Sequence, residues 1–312
     1  MLPVWAVSVK KVKEEITKEK IPLLGVGAAF SFLGMMFNVP LPGGTTGHAV
    51  GGTLVSALCG PFSACISVTI ALLVQALLFG DGGILSFGAN CFNMAFVLPF
   101  VGYAVYKLVL KFVKGKHKET IAVAIGSYIG INAAALCAAI EFGIQPLLFT
   151  DSLGNALYCP YPLSVSIPAM MLGHLTVFGI AEVIFTVAVF SFMKKTAPNA
   201  TYEPKSKTAK PVYLLIGLLI VLTPIGLLAS GTAWGEWGVD EIAEVVENGS
   251  QLGYTPQKMA NGIDFSAIFA DYTIGNMPEW LGYILSALIG VALVVIFFKL
   301  IASFKKSKVE FN

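Results

Sequence analysis

The sequence predicts an all-α fold: a polytopic transmembrane helical bundle with a fused two-helix membrane module. Three observations carry that expectation. First, 56% of the 312 residues are hydrophobic and only 12% are charged. A soluble domain carries about twice that charged share, so this chain cannot cover a surface with polar groups, and the bilayer is its natural solvent. Second, long apolar runs recur from one end of the chain to the other. Third, all 20 basic residues are lysines, and 19 of them fall in four clusters, within residues 10–20, 107–118, 194–210 and 299–308, leaving Lys258 alone elsewhere. Lysine-rich short loops stay cytoplasmic, so each interval between clusters must hold an even number of crossings and the C-terminus lies inside. Topology therefore accounts for the lysines, and a net charge of +2 leaves no basic footprint for nucleic acid.

Taken in order, residues 1–9 are apolar and carry Trp5, but nine residues cannot span, and the first lysines follow at once. They read as the cytoplasmic end of a helix whose first part lies upstream; a short interfacial helix is the alternative. Apolar runs then cover 21–39, 49–60, 61–79, 88–106, 120–142, 162–193, 212–229 and 280–298. An even count before Lys107 requires a break at Gly60-Pro61, which proline favours because it lacks the amide donor. The piece before that break, about 12 residues or ~18 Å of helix, is too short for a core of ~30 Å and must be shielded by other helices. With this division, residues 40–47, 80–83, 143–161 and 230–277 fall outside. The linker 194–211 reads as a joint between a first domain, 1–195, and the two-helix module, 211–312.

The densest unusual stretch, Pro40-Leu41-Pro42-Gly43-Gly44-Thr45-Thr46-Gly47-His48-Ala49-Val50-Gly51-Gly52, places five glycines and two prolines around one histidine. Such a backbone folds tightly on itself. A neutral imidazole there suits Ni, Co, Zn or Cu ions, and it equally suits a turn cap. Asn90 and Asp81, in the neighbouring outer segments, are weaker candidates as direct or supporting donors. Asn93 and Met94 could support His48 or close a loop, and loop closure is favoured. His174, Phe178 and Glu182 share one helix face at i, i+4, i+8. Ionisable groups in a membrane helix raise a functional hypothesis, here an intramembrane acid and base pair, against the simpler reading of a satisfied polar contact.

Five cysteines without C-x-x-C spacing read as buried thiols rather than a metal or redox site. The acidic charges at 236, 240 and 244 read as a solvated helix face. Gly25, Gly27, Ala28 and Ala29 offer a small-residue surface for docking a partner helix. No G-x-x-x-x-G-K-[ST] occurs, so ATP is not bound through a P-loop, and neither H-E-x-x-H nor G-x-S-x-G is present.

The run from Phe37 to Gly52, with Gln75-Ala76-Leu77-Leu78-Phe79-Gly80-Asp81-Gly82-Gly83 and Gly88-Ala89-Asn90-Cys91-Phe92-Asn93-Met94, resembles the CbiM/NikM family over about residues 1–195. These are the substrate-binding membrane components of energy-coupling factor transporters for cobalt and nickel. From Pro211 onward, Gly231-Thr232-Ala233-Trp234-Gly235-Glu236-Trp237-Gly238 and Ala270-Asp271-Tyr272-Thr273 look like a fused CbiN/NikN or PDGLE-type module. The resemblance implies a non-enzymatic transport component with no resident cofactor, in a prokaryotic cell membrane. Its cargo would be Co(II) or Ni(II), for cobalamin synthesis or nickel enzymes. Its partners would be a membrane coupling subunit of the CbiQ/NikQ type and ATPases of the CbiO/NikO type.

The family holds its metal with the terminal amine, a second-position histidine and a loop histidine, and by resemblance the last is His48. Leu2 departs from that pattern, which is the expectation if the family's start lies upstream. The sequence leaves cobalt against nickel open, together with the role of the outer loop 230–277. The rival readings are a vitamin-binding component, an intramembrane enzyme using His174 and Glu182, and an ion-coupled secondary transporter.

Overall fold

The computed structural model describes residues 1–41, 45–196, 209–229, 231–247, 250–263 and 265–304. α1 (Leu2–Glu15) leads through a 3-10 turn at Lys18–Lys20 into α2 (Ile21–Met36). α3 (Gly52–Cys59) is short, and Gly60, at φ +87°, turns the chain into α4 (Pro61–Phe79). The predicted break is therefore built from a left-handed glycine, which no other residue adopts as cheaply, and a proline at the first helical position, where a missing amide costs nothing. α5 (Phe87–Phe112), α6 (Lys118–Leu148), α7 (Leu163–Thr196), α8 (Lys210–Leu228) and α9 (Glu279–Phe304) complete the bundle. The six helices from α4 to α9 are long and apolar enough to cross a bilayer. The polytopic all-α architecture is as the composition requires.

α2 forms the centre. Phe30, Phe32, Leu33 and Met36 are fully buried. Its 16 residues make only ~24 Å of helix, which the surrounding helices shield. α3 is shorter still, and Leu54 and Val55 are likewise fully enclosed. α1 packs along α4: the Trp5 indole N–H donates to Thr69 Oγ1 at 3.0 Å, its ring stacks on Phe87, and Ser8 is fully buried. It is thus a packed element of the bundle and runs on to Glu15, past the first lysines.

One expectation fails. Gly25, Gly27, Ala28 and Ala29 do not form a partner-docking surface, because all four are buried within the chain. A Cβ added at Gly25 would lie 3.2 Å from Phe298 of α9, and one at Gly27 would lie 2.8 Å from Val55 of α3. The small residues serve internal close packing, the commonest use of such stripes between membrane helices. The same device joins α3, α5 and α6, where Gly102 sits against Thr53, and Gly126 against the Gly102 carbonyl.

α9 packs on α2 through Gly290 against Phe32, while Gly226 at the end of α8 abuts the Met36 carbonyl. Lys194 pairs with Glu119 at 3.0 Å, bringing the lysine-rich end of α7 to the start of α6. Within the expected joint, residues 197–208 lie outside the described residues.

Candidate metal site

At the opposite end of the bundle, β1 (Val39–Leu41) and β2 (Thr45–Gly47) pair antiparallel, Val39 with Gly47 and Leu41 with Thr45. The proline- and glycine-rich run is therefore a hairpin. Its tip, residues 42–44, lies outside the described residues. The hairpin's edge is covered by the C-terminal segment: Thr46 bridges Ala233 in parallel register, and the Thr45 and Thr46 hydroxyls donate to the Thr232 and Gly231 carbonyls at 3.2 and 3.3 Å.

His48 follows β2 directly. The backbone behind it is fixed from α7, where fully buried Glu182 accepts the Val50 N–H at 2.7 Å and the Gly51 N–H at 2.9 Å on one carboxylate oxygen. The other oxygen accepts the Thr186 hydroxyl at 3.3 Å. Gly51, at φ +71°, is the residue from which α3 starts, so α3 begins a turn later than the apolar run alone suggests. Amides at the start of a helix have no intrahelical partner, and a charged acceptor satisfies them strongly.

His48 lines a cavity of about 590 Å³ shared with Asp81, Asn90, Glu236, Tyr272 and Tyr283. Its Nδ1 is buried and has no hydrogen-bond partner among the described residues. An orphaned ring nitrogen is costly in a finished core and is expected where a ligand completes the site. Burial holds the imidazole below its ordinary pKa, opposed in part by the Asp81 charge. The ring is thus neutral at physiological pH, the form that binds metal.

Asp81 stands in the turn after Gly80, and its Oδ2 accepts from Gln75 Nε2 at 3.0 Å and from the Tyr272 hydroxyl. Gln75 also donates to the Tyr272 oxygen at 2.9 Å. Asn90 donates to the Gly82 carbonyl at 2.8 Å, closing the turn that carries Asp81 while also facing the cavity. Asn93 is turned away, donating to Glu141 at 2.7 Å. The structure thus brings His48, Asp81 and Asn90 to one cavity.

His174 and Glu182 do not pair. His174 Nδ1 lies 2.8 Å from the Met170 carbonyl, and its ring meets Phe178 edge-on. Phe178 in turn packs on Gly47, where an added Cβ would come within 2.8 Å. His174 therefore supports the hairpin from behind, and Glu182 fixes the loop. Three π-helical segments border the same region: Gln75–Phe79 before Asp81, Cys91–Val97 after Asn90, and His174–Phe178. Such bulges re-aim side chains inside a helix and recur at functional sites.

The helix expected over residues 236, 240 and 244 does not form, although all three side chains are exposed as a solvated face requires. Glu236 lies in a turn on the cavity wall, and a separate 3-10 turn begins only at Ile242. The left-handed Gly235, φ +93°, interrupts any helix there. Trp234 and Trp237 meet at 5.2 Å and pack on Tyr161, drawing the segment onto the bundle. Glu236 is open to the water-accessible cavity yet ringed by protein, and that desolvation with the Asp81 charge pushes its carboxyl up to about 7.

Glu236 and Tyr272 on the cavity wall, and buried Gln75 bonded to Asp81 and Tyr272, are the groups that residue-type reasoning missed. The sequence signals for Glu236 were the excess of acid in the outer loop and its place in the Gly231 to Gly238 stretch that carries the resemblance. Gln75 and Tyr272 stood only within the stretches that carry the family resemblance, and their contact depends on a fold spanning most of the chain. Among the described residues, no three His, Cys, Asp or Glu side chains converge closely enough to chelate an ion between them. The cavity therefore offers one imidazole and dispersed carboxylates.

Comparison with known proteins gives two family matches: CbiM, the cobalt uptake substrate-specific transmembrane region, over residues 1–200, and the PDGLE domain over residues 209–307. The chain is 51% identical to the probable fused nickel transport protein LarMN of Lactiplantibacillus plantarum, across 95% of this chain and 90% of that protein. It is 44% identical to the fused nickel transport protein NikMN of Rhodobacter capsulatus, across 94% of this chain and 89% of that one. A crystal structure of a transition metal transporter superposes with a TM-score of 0.60 at 51% identity, covering 69% of this chain and 91% of the other.

Proposed function

The chain belongs to the CbiM family, and from that premise we propose that it captures Ni(II) or Co(II) in the cavity beside His48 and serves an ATP-driven importer. Its membership makes it a nickel or cobalt transport component. The observation that carries the assignment of the site is His48 itself, a neutral imidazole with a buried unpartnered nitrogen on a cavity whose charged groups are carboxylates. Imidazole selects borderline ions such as Ni(II) and Co(II) over hard cations, while Asp81 and Glu236 supply the negative field that attracts a divalent ion.

Two units cooperate in this reading, 1–195 carrying His48 and 211–312 closing the cavity from outside. The lysine-rich ends and the C-terminus face the cytoplasm of a prokaryotic cell. Energy comes from outside the chain, which has no P-loop, through a membrane coupling subunit of the CbiQ/NikQ type and ATPases of the CbiO/NikO type. The imported metal feeds cobalamin synthesis or nickel enzymes. Two relatives covered over 90% and 89% of their length are named for nickel, so nickel is the first ion to test. Family membership sets aside the vitamin reading, and the separate partners of His174 and Glu182 remove the support for an acid and base pair.

The test is calorimetric titration of the purified full chain with Ni(II). Replacing His48→Ala should weaken binding by more than the ~10–100-fold typical of losing a supporting residue. Unchanged affinity in a folded variant would remove His48 from the site.

A further inference from the structure

A second and larger concavity lies between α7 and α8, and its chemistry is the opposite of the metal cavity's. It is a groove of about 1140 Å³ that reaches Phe37 and Val39 beside the hairpin. That volume exceeds the ~300–1,000 Å³ of ordinary ligand pockets. Thr176 brings the one hydroxyl to the wall, and it is already donated to the Leu172 carbonyl at 2.6 Å. Every other lining side chain among the described residues is apolar.

The helical spacing explains why the groove is open. α8 presents Val212, Ile216 and Ile220 to the bundle, where all three are buried. Leu215 and Leu219 therefore stand on its flank and line the groove, opposite the exposed Ile184 and Ala188 of α7. From Thr176 to Phe192 the wall follows α7 for ~24 Å, most of a hydrocarbon core of ~30 Å. Lys195 follows Phe192 at i+3 and lies below it on the same helix face, and α8 starts at Lys210. Both lysines are exposed, and neither has an ion pair among the described residues. Lys194, by contrast, is engaged by Glu119.

We infer that this groove is a binding site for an anionic phospholipid, with acyl chains along α7 and α8 and the phosphate headgroup held by Lys195 and Lys210. Partner helices are gripped in a bilayer through close backbone approach or hydrogen bonds. Here bulky Ile184, Phe192, Leu215 and Leu219 hold a helix off, and Thr176 has no hydroxyl proton to offer. Flexible methylene chains fill such a wall, and the two free cations at its lysine end select a negative headgroup. The lipid fills the seam between the first domain and the C-terminal module. Its leaflet is the cytoplasmic one by the topology proposed above, while the site itself is independent of the metal assignment.

The experiment is native mass spectrometry of the full chain, delipidated in detergent and titrated with phosphatidylglycerol or with phosphatidylcholine of the same chains, with unfolding temperatures in parallel. Phosphatidylglycerol should bind the more tightly of the two and raise the unfolding temperature. Lys195→Gln combined with Lys210→Gln should weaken it ~30-fold, about fivefold for each lysine, to the level of phosphatidylcholine. Ala188→Phe, at an exposed position on the groove wall, should remove the saturable adduct of either lipid. A cooperative unfolding transition and unchanged Ni(II) affinity report that the variants are folded, since none of these positions lines the metal cavity. Equal affinity of the wild type for the two lipids, or unchanged lipid binding in either variant, would overturn the inference. So would a groove covered by a second copy, seen as dimers that Ala188→Phe splits and that do not respond to lipid. Should Ala188→Phe fail to fold, Ala188→Leu is a smaller plug with the same expectation and the same refutation.

Discussion

Glu182 offers the sharpest mechanical test, because it is fully buried in α7 and spends one oxygen on the Val50 and Gly51 amides, two and three residues after His48. Truncation by Glu182→Ala would leave both amides buried without an acceptor. At ~1–3 kcal/mol for each unsatisfied group, the loss is about 2–6 kcal/mol, a large share of the ~5–15 kcal/mol that holds a typical domain together. Glu182→Gln is the cleaner perturbation. Its amide oxygen can still accept both bonds, but they lose charge assistance, which roughly halves them. A cost of about 1–2 kcal/mol follows, equivalent to a factor of ~5–30 in an equilibrium. If Glu182 holds His48 in its binding position, Ni(II) affinity of Glu182→Gln should fall by about that factor. Glu182→Ala should bind still more weakly and unfold at a lower temperature. Calorimetry and thermal unfolding of the purified full chain read both quantities. Wild-type affinity and unfolding temperature in both variants would refute the positioning argument.

Other expectations follow from the same geometry. Ni(II) affinity should rise as pH passes upward through about 7, where Glu236 loses its proton and becomes an attractive charge, while His48 is already neutral there; titrations across that range with Glu236→Gln should show a flatter profile. His174→Gln should leave Ni(II) affinity within about threefold, far less than the ~10–100-fold loss expected for a residue supporting a metal ligand, because His174 is not on the cavity wall. A drop as large as that of His48→Ala would contradict this. Gly102→Ala should lower stability by about 1–3 kcal/mol through overpacking, since the new methyl would overlap Thr53, and a shifted unfolding temperature would report it.

Much of the bundle was legible because bilayer physics leaves few choices. Apolar runs must be helices, lysine clusters fix parity, and that parity forced the Gly60-Pro61 break that the structure contains. His48 stood out as the one imidazole inside a run of glycines and prolines, where a metal ligand and a turn cap were equally good readings and the family resemblance favoured the ligand, and Asp81 and Asn90 as weaker candidates because they occupy outer turns on the same side. What stayed hidden depends on contacts between distant segments. Whether Gly25 and Ala28 face a partner or Phe298 cannot be read from spacing, since both readings demand the same small residues. Glu236 shares a periodicity with Asp240 and Glu244 that suggests a helix face, and only the left-handed Gly235 and the packing of Trp234 and Trp237 on Tyr161 put it on the cavity wall. The Tyr272 to Asp81 contact lies beyond any local pattern.

The most direct test of the account is to locate the cargo itself, by anomalous diffraction at the nickel edge from crystals of the full chain loaded with Ni(II). The account predicts a single strong peak in the cavity at about 2 Å from the His48 imidazole, the usual metal to imidazole distance, with Asp81 on the same cavity wall. A peak elsewhere in the bundle, or one whose ligands exclude His48, would contradict it.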